Sequence, residues 1–344
     1  MTEGTRESFA GVGRLPEGII YPELVHSGMS ETLVQVSNAF NAQSLNAIRM
    51  VTNRQKGDFA QESFFKNVAN IIQRREVNVS PANPAVASSA VPIEEFISVK
   101  LNRRIGPIDQ TLDSFRKLGA SADLEVLSFL LGEQIAKAMQ VEMLDACVTS
   151  LVAGITAQAG LVYDGDAGGA SPQAGLDTLD LVNGLALFGD AASRVKIWVM
   201  HSKPYYELVS SQITDNIDGV SNFNVATATP VTLNRPVLIT DSAALIDDSV
   251  SPTQYATLGL VENSCVAEDS EEDMLHTEVI TGQENLVTRL QGEFAYNMGL
   301  KGIKWDVANG GVNPDEAALG TSSNWDSVMD DNKDLPGVVI RSQL

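Results

Sequence analysis

Cysteine and histidine are scarce in this chain: two of the first and three of the second in 344 residues. Two cysteines, Cys147 and Cys265, cannot make a disulfide framework or a four-cysteine zinc site. Cys147 falls in an apolar helical pattern and Cys265 in the strand-like "VENSCVAED", so both read as small core residues in a reducing compartment. Also missing is an unbroken run of the roughly 18 apolar residues that a membrane span needs. The opening "MTEGTRESFAGVGRLPEG" lacks the basic-then-apolar order of a secretory signal. The expectation is a chain made and kept in a cytoplasm. No G-x-S-x-G, H-E-x-x-H or Cys–His signature occurs, no glycine-rich phosphate loop leads from a strand into a helix, and no internal repeat is found.

Positive charge is short as well. Lys and Arg number 23 against 44 Asp and Glu, a net charge of −21, which argues against binding nucleic acid through a general basic surface. One segment reverses the balance. Between Ser44 and Lys117 there are eleven Lys/Arg and seven Asp/Glu, a local +4 that leaves −25 on the rest. An acidic surface on an identical neighbour would complement it; a solvated basic face is the equal alternative.

What is present suits a globular protein, with 44% hydrophobic and 19% charged residues. Residues 1–47 hold one predicted helix, "SETLVQVSNAFNAQSLNAI", and otherwise too few apolar anchors for a core, as in an arm that lies on something else. Two strand-like pieces follow, "AIRMVTNRQ" and "EEFISVKLNRRIG". In the second, Ile97, Val99, Leu101 and Ile105 alternate with Phe96, Ser98, Lys100, Asn102 and Arg104. Between them lie a helical stretch, "DFAQESFFKNVANIIQRR", and an extended tip carrying Pro81, Pro84 and Pro92. A two-stranded excursion of this length is poorly stable without a partner surface.

From about Ala122 to Gln158 one long helix is predicted. Leu127, Leu131, Ile135, Met139, Met143, Cys147, Leu151 and Ile155 are apolar at steps of four, a row that drifts roughly 40° per step around the helix. Different elements should therefore cover this spine along its length. A second helix, "LDTLDLVNGLALFGDAASR", presents Leu176, Leu179, Val182 and Ala186. The strand "VKIWVM" then enters "HSKPYYELV", with Ser202 as the expected N-cap and Tyr205, Leu208 and Val209 along one face. Beyond Thr214 strands predominate, in "RPVLITDSAAL", "QYATLGLVE", "MLHTEVITG", "ENLVTRLQGEFAYNM" and "LKGIKWD". Helices followed by mixed strands give an α+β class. The chain ends in a polar tail from about Val307, anchored by Trp325.

Chemical candidates are weak. His26, His201 and His276 have no partner at a known spacing, and His201 reads as a strand-end joint. Asp164 and Asp166 in "DGDAGG" lack the remaining ligands of a calcium loop, and the acidic run from Glu268 to Asp273 reads as a solvated loop or half of a charged contact. No catalytic, cofactor or metal residue is assigned.

Six stretches in order resemble the major capsid protein of tailed bacteriophages, the Hong Kong 97-type fold, from about residue 40 to the C-terminus. They are "GDFAQESFF", "FISVKLNRRIGPIDQTLDSFRKLG", "VKIWVMHSKPYYELV", "RPVLITDSAAL", "LKGIKWD" and "NPDEAALGTSSNWDSV…DNKDLPGVVI". The resemblance implies an N-terminal arm (1–47), an extended loop (48–106), a peripheral domain with the spine helix (107–199) and an axial domain (200–275). Return strands of the peripheral domain (276–306) and a C-terminal tail (307–344) complete it. It implies an icosahedral shell of hexamers and pentamers around double-stranded DNA held without sequence-specific binding, in a virion assembled in the host cytoplasm. The implied partners are further copies, a separate scaffolding protein in view of the short arm, a portal and decoration proteins, and no membrane. With the extended loop lying over a neighbour, the inter-subunit contact candidates are Arg54, Lys56, Arg74, Arg75, Lys100, Arg103 and Arg104. Some members of the fold cross-link a Lys to an Asn; Lys56, Lys66 and Lys100 match no such pattern. The alternatives are an encapsulin-like nanocompartment shell and, more remotely, a carboxylate-dependent hydrolase.

Overall fold

The computed structural model describes residues 20–51, 59–66, 72, 74, 90–111, 124–164, 175–218, 232–270, 274–282 and 284–344. In chain order the elements are α1 (Pro22–Gln43), β1 (Ile48–Val51), β2 (Phe59–Phe65), β3 (Ile93–Thr111), α2 (Leu124–Thr156), β4 (Val162–Asp164), α3 (Thr178–Ala186) and β5 (Ile197–Met200). Then come α4 (Ser202–Asp218), β6 (Val237–Ile239), β7 (Ile246–Asp247), β8 (Gln254–Leu260), β9 (Cys265–Asp269), β10 (Met274–Ile280), β11 (Val287–Leu300) and β12 (Ile303–Trp305). The short helices α5 (Val307–Gly310) and α6 (Glu316–Leu319) precede β13 (Trp325–Ser327) and β14 (Gly337–Gln343). The class is α+β, as expected.

The predicted spine is α2, 33 residues long and so about 50 Å at 1.5 Å per residue. Ile135, Met139, Met143, Cys147, Leu151 and Ile155 are all buried. Earlier in the helix Leu130 and Val141 stay exposed, whereas every residue from Ala146 to Leu151 is buried. The apolar row thus passes from one-sided to all-round burial. Its Ser128–Thr156 stretch is long and apolar enough to cross a bilayer, although it contains no unbroken apolar run, but two-thirds of the decisive window is buried inside the protein.

The chain divides into two compact units. The smaller comprises Met1–Asn38, Asn102–Glu142 and Glu271–Ala295. Within it α1 runs parallel to α2: Tyr21 N–H donates to Ser128 Oγ (3.1 Å), and Gln140 Nε2 donates to Leu33 O and Ser37 Oγ. The close crossing requires glycine. A Cβ on Gly132 would lie 2.2 Å from the Val25 carbonyl oxygen, and one on Gly28 would lie 2.6 Å from that of Phe129. Val25 and Met29 are wholly buried there. The predicted helix therefore begins two turns earlier than Ser30, and its first half is packed rather than a free arm. Strand β10 pairs antiparallel with β11, from Met274↔Glu293 to Ile280↔Val287, and the Asp109 carboxylate accepts two hydrogen bonds from Arg289 (both 2.7 Å).

The larger unit comprises Ala39–Leu101, Met143–Ser270 and Tyr296–Leu344. One set of strands has the order β1-β9-β11-β12-β13, with β1 parallel to β9. Asn41 stitches the α1 end to β1, donating to Met50 O (2.8 Å) and accepting from Met50 N–H (2.9 Å). A six-stranded sheet has the order β4-β14-β8-β5-β6, with β7 also on β8. Strand β14 lies inside it, parallel to β4 and antiparallel to β8.

Four expectations change here. "FAQESFF" is strand β2 and not helix, because its aromatic residues suit a pleat and it pairs along its whole length with 93–99. The partner of β3 in the excursion is consequently β2, while β1 joins β9. On α3 the buried residues are Asp180, Leu181, Gly184 and Leu185, leaving Leu179 and Val182 exposed; the helix is apolar on two sides, and Ile340 presses against Gly184. Finally, the tail is structural. Val338, Val339 and Ile340 are fully buried, and Trp305 meets Trp325 edge to face at 4.8 Å.

Candidate assembly surface

Strands β2 and β3 form a ribbon in the larger unit, in register from Phe59↔Val99 to Phe65↔Ile93. Directly paired residues share a face, so Phe65, Ser63 and Gln61 lie with Ile93, Glu95 and Ile97, and Phe64 and Glu62 with Glu94 and Phe96. The second face turns inward: Ser98 is buried, and a Cβ on Gly299 would lie 3.2 Å from the Phe96 ring. The first faces solvent. Phe65 is 75% exposed and Ile93 65%, with Val91 at 57% just before the strand. Lys66 closes this end, its N–H donating to Pro92 O (3.0 Å) and its Nζ lying 2.7 Å from Asp330. The Asp330 hydrogen bond raises the Lys66 pKa.

The structure separates the cationic candidates. Arg54, Lys56 and Arg75 lie outside the described residues. Arg74 is exposed. Lys100 is buried, 6% exposed, because β3 is covered on both faces from Ser98 to Leu101; it offers no surface charge, a correction to its place among the contact candidates. Arg103 is engaged within its own unit, Nε donating to Glu142 Oε1 at 2.5 Å. Arg104 is exposed and makes no ion pair among the described residues. It stands at the rim of a groove of about 420 Å³ in the smaller unit, walled by Ile105, Ile108, Leu131, Ile135, Met139 and Phe294. The exposed ribbon residues Phe65, Ile93 and Glu95 escaped the charge-based reading. Their only signal was two large apolar residues flanking the proline-rich stretch.

His201 is the joint between β5 and α4. Its carbonyl accepts from Tyr205 N–H (3.3 Å), the first helical bond, and its Nδ1 accepts from Lys203 N–H (3.1 Å). The N-cap is therefore His201, one residue before the expected Ser202, and an imidazole does the work of the usual short oxygen side chain. With Nδ1 accepting, the neutral ring carries its proton on Nε2, which lies 3.4 Å from Asp241 Oδ1. The Ser202 hydroxyl above all, then its N–H and His201, holds the Asp241 carboxyl below its ordinary range. The Tyr255 ring packs against it at a tilt of 50°, with centroids 5.3 Å apart. These contacts fix the strand end to the helix start and tie both to Asp241 and Tyr255.

The other chemical candidates find structural surroundings. Cys147 and Cys265 are buried free thiols, and burial first, then Cys147, pushes the Cys265 thiol up. Glu268 faces Glu62 across a cleft of about 290 Å³ that Lys301 and Asn263 also line. Burial first, then Glu62, raises the Glu268 carboxyl against the opposing pull of Arg49. Asp166 and residues 271–273 of the acidic run lie outside the described residues. Among the described residues no group of three or more His, Cys, Asp or Glu is placed to hold a metal.

A family model described as Gp13-like, major capsid protein 13-like, matches residues 19–339. No curated protein matches the chain. Among solved structures it is similar to one from Mycobacterium phage Bobi, at 11% identity over 91% of this chain and 90% of that one, with a TM-score of 0.48. It is also similar to the capsid of Ralstonia phage GP4 (9% identity, 86% and 87% covered, TM-score 0.48) and to the head of Helicobacter pylori bacteriophage KHP40 (8% identity, 86% and 88%, TM-score 0.48).

Proposed function

Since the chain belongs to the Gp13-like family of major capsid proteins, we propose that it builds the head of a tailed bacteriophage as hexamers and pentamers of an icosahedral shell. The shell encloses double-stranded DNA without reading its sequence, in keeping with a net charge of −21. In the Hong Kong 97-type reading, residues 48–106 are the extended loop, 107–199 with 276–306 the peripheral domain and 200–275 the axial domain. His201 then marks the passage between the last two. Scaffolding, portal and decoration proteins are the expected partners, and assembly takes place in the host cytoplasm.

The observation that carries this reading beyond the family is the ribbon's bare face. A Phe and an Ile directly opposite each other, both mostly in water, are unfavourable on a monomer and become favourable when covered. Copies of the same chain supply the cover in a shell. The test is to express the full chain, alone and with candidate scaffolding proteins, and examine it by negative-stain electron microscopy and sedimentation. Closed shells are the expected result. A chain that remains monomeric at high concentration under all these conditions is not a shell subunit.

A further inference from the structure

Strand β10 is an edge: among the described residues it pairs with β11 alone, so the backbone N–H and C=O groups on its far side have no strand beside them. Sheet edges are ordinarily blunted by shortness, Pro, Lys or a bulge. The edge strands of the six-stranded sheet, β4 and β6, are three residues each. Strand β10 has none of these devices. It is seven residues long, holds neither Pro nor Lys, and keeps an unbroken register from Met274↔Glu293 to Ile280↔Val287. Met274, His276, Glu278 and Val279 are exposed along it. We propose that β10 pairs antiparallel with β10 of another copy across a two-fold axis at Thr277, joining their sheets edge to edge. This rests on the shell reading above and adds one contact between its subunits.

The residues of the strand select this register. In an antiparallel pair, two residues directly opposite exchange both hydrogen bonds or neither, so their backbone groups are aimed alike. In two identical strands, opposite residues must then lie an even number apart, and the axis of a two-fold contact passes through a residue. Centred on Thr277, all seven residues pair. Met274 meets Ile280, Leu275 meets Val279, and His276 meets Glu278 on either side of the axis. Apolar side chains cover apolar ones, and each imidazole N–H donates to a carboxylate. Centred on His276, imidazole would face imidazole and Glu278 would face Met274. Centred on Glu278, carboxylate would face carboxylate, which is destabilising. Within the chain Arg289 stands opposite Glu278, but its two 2.7 Å hydrogen bonds go to Asp109. The Glu278 carboxylate is open to a second donor.

Cysteine placement in the full chain reads the register. Thr277→Cys sets two thiols opposite each other at the axis, with Cβ atoms about 4.5–5.5 Å apart, whereas Leu275→Cys faces Val279. The native cysteines are buried. Assembled material oxidised with glutathione disulfide is expected to give disulfide-linked dimers on non-reducing gels for Thr277→Cys, at least about tenfold more than for Leu275→Cys. His276→Glu and Glu278→His are each expected to lower shell yield by about threefold or more, with unchanged circular dichroism and melting. The double variant is expected to recover most of it, because the pair is restored in the opposite sense. If shells form and Thr277→Cys gives no more dimer than Leu275→Cys, the contact is wrong and the shell reading stands. If the single exchanges fail and the double does not recover, another segment or a different protein occupies the edge, and the proposal is equally wrong. A wild type that never assembles removes the shell reading itself and this contact with it.

Discussion

Strand β14 and the ribbon strand β3 belong in part to the same unit but meet opposite fates. In β14 the run from Gly337 to Ile340 is buried at every position, held between β4 and β8. In the ribbon the Ile93–Ile97 stretch has no buried residue, and its two large outward side chains face water. The first region is complete within one chain. The second is stable only through its inner face, which leaves its outer one for something else. The difference separates what the chain needs to fold from what it needs to assemble.

Substitutions should respect that separation. The largest effect on folding is expected at Gly337, where a Cβ would lie 2.2 Å from the Gly259 carbonyl oxygen. Gly337→Val should cost more than about 3 kcal/mol and give insoluble protein; a soluble variant with normal circular dichroism would show the sheet to be looser than drawn. Next comes Trp325→Ala. It removes a buried indole that donates to Leu319 O at 2.9 Å, and the expected loss is about 3–5 kcal/mol in chemical denaturation. At His201 the cap is worth about 1 kcal/mol. His201→Ala should lose it while His201→Asn keeps most, a distinction in melting temperature that a chemical role for the imidazole would not produce.

Glu268→Gln should act weakly and with a definite sign. Because burial and Glu62 raise the folded-state pKa, the stability from that proton is full below the unfolded carboxylate value. It is lost as pH rises through the folded value. The variant should melt slightly above wild type at pH 7, and the gap should close as the pH falls through the raised folded value, being gone below about 4. Smallest for folding is Phe65→Ser, within about 0.5 kcal/mol, yet it should reduce shell yield strongly. Equal losses of folding and assembly at Phe65 would erase the contrast between the two regions.

Much of the fold was legible in the residues. The spine helix was placed within two residues at each end, since a long apolar row with no proline leaves few alternatives. Strands β8, β10 and β11 fall within the stretches read as strands. Less legible was β2, because "FAQESFF" suits either period until a partner strand is present. Nor could α3 be oriented, being apolar on two sides. At the candidate surface, the charge count weighted all the segment's cations alike, whereas among the described contact candidates Lys100 is buried, Arg103 is paired and Arg74 and Arg104 stand exposed.

By itself the sequence determined the class, the spine helix and the strand-rich second half, because periodicity is a local property of a chain. Tertiary structure alone decided that β14 is an inner strand, that His201 caps α4 in place of Ser202, and that Phe65 and Ile93 point outward. Each depends on which distant residues arrive beside it, and strand pairing and burial are set by neighbours that no local pattern contains.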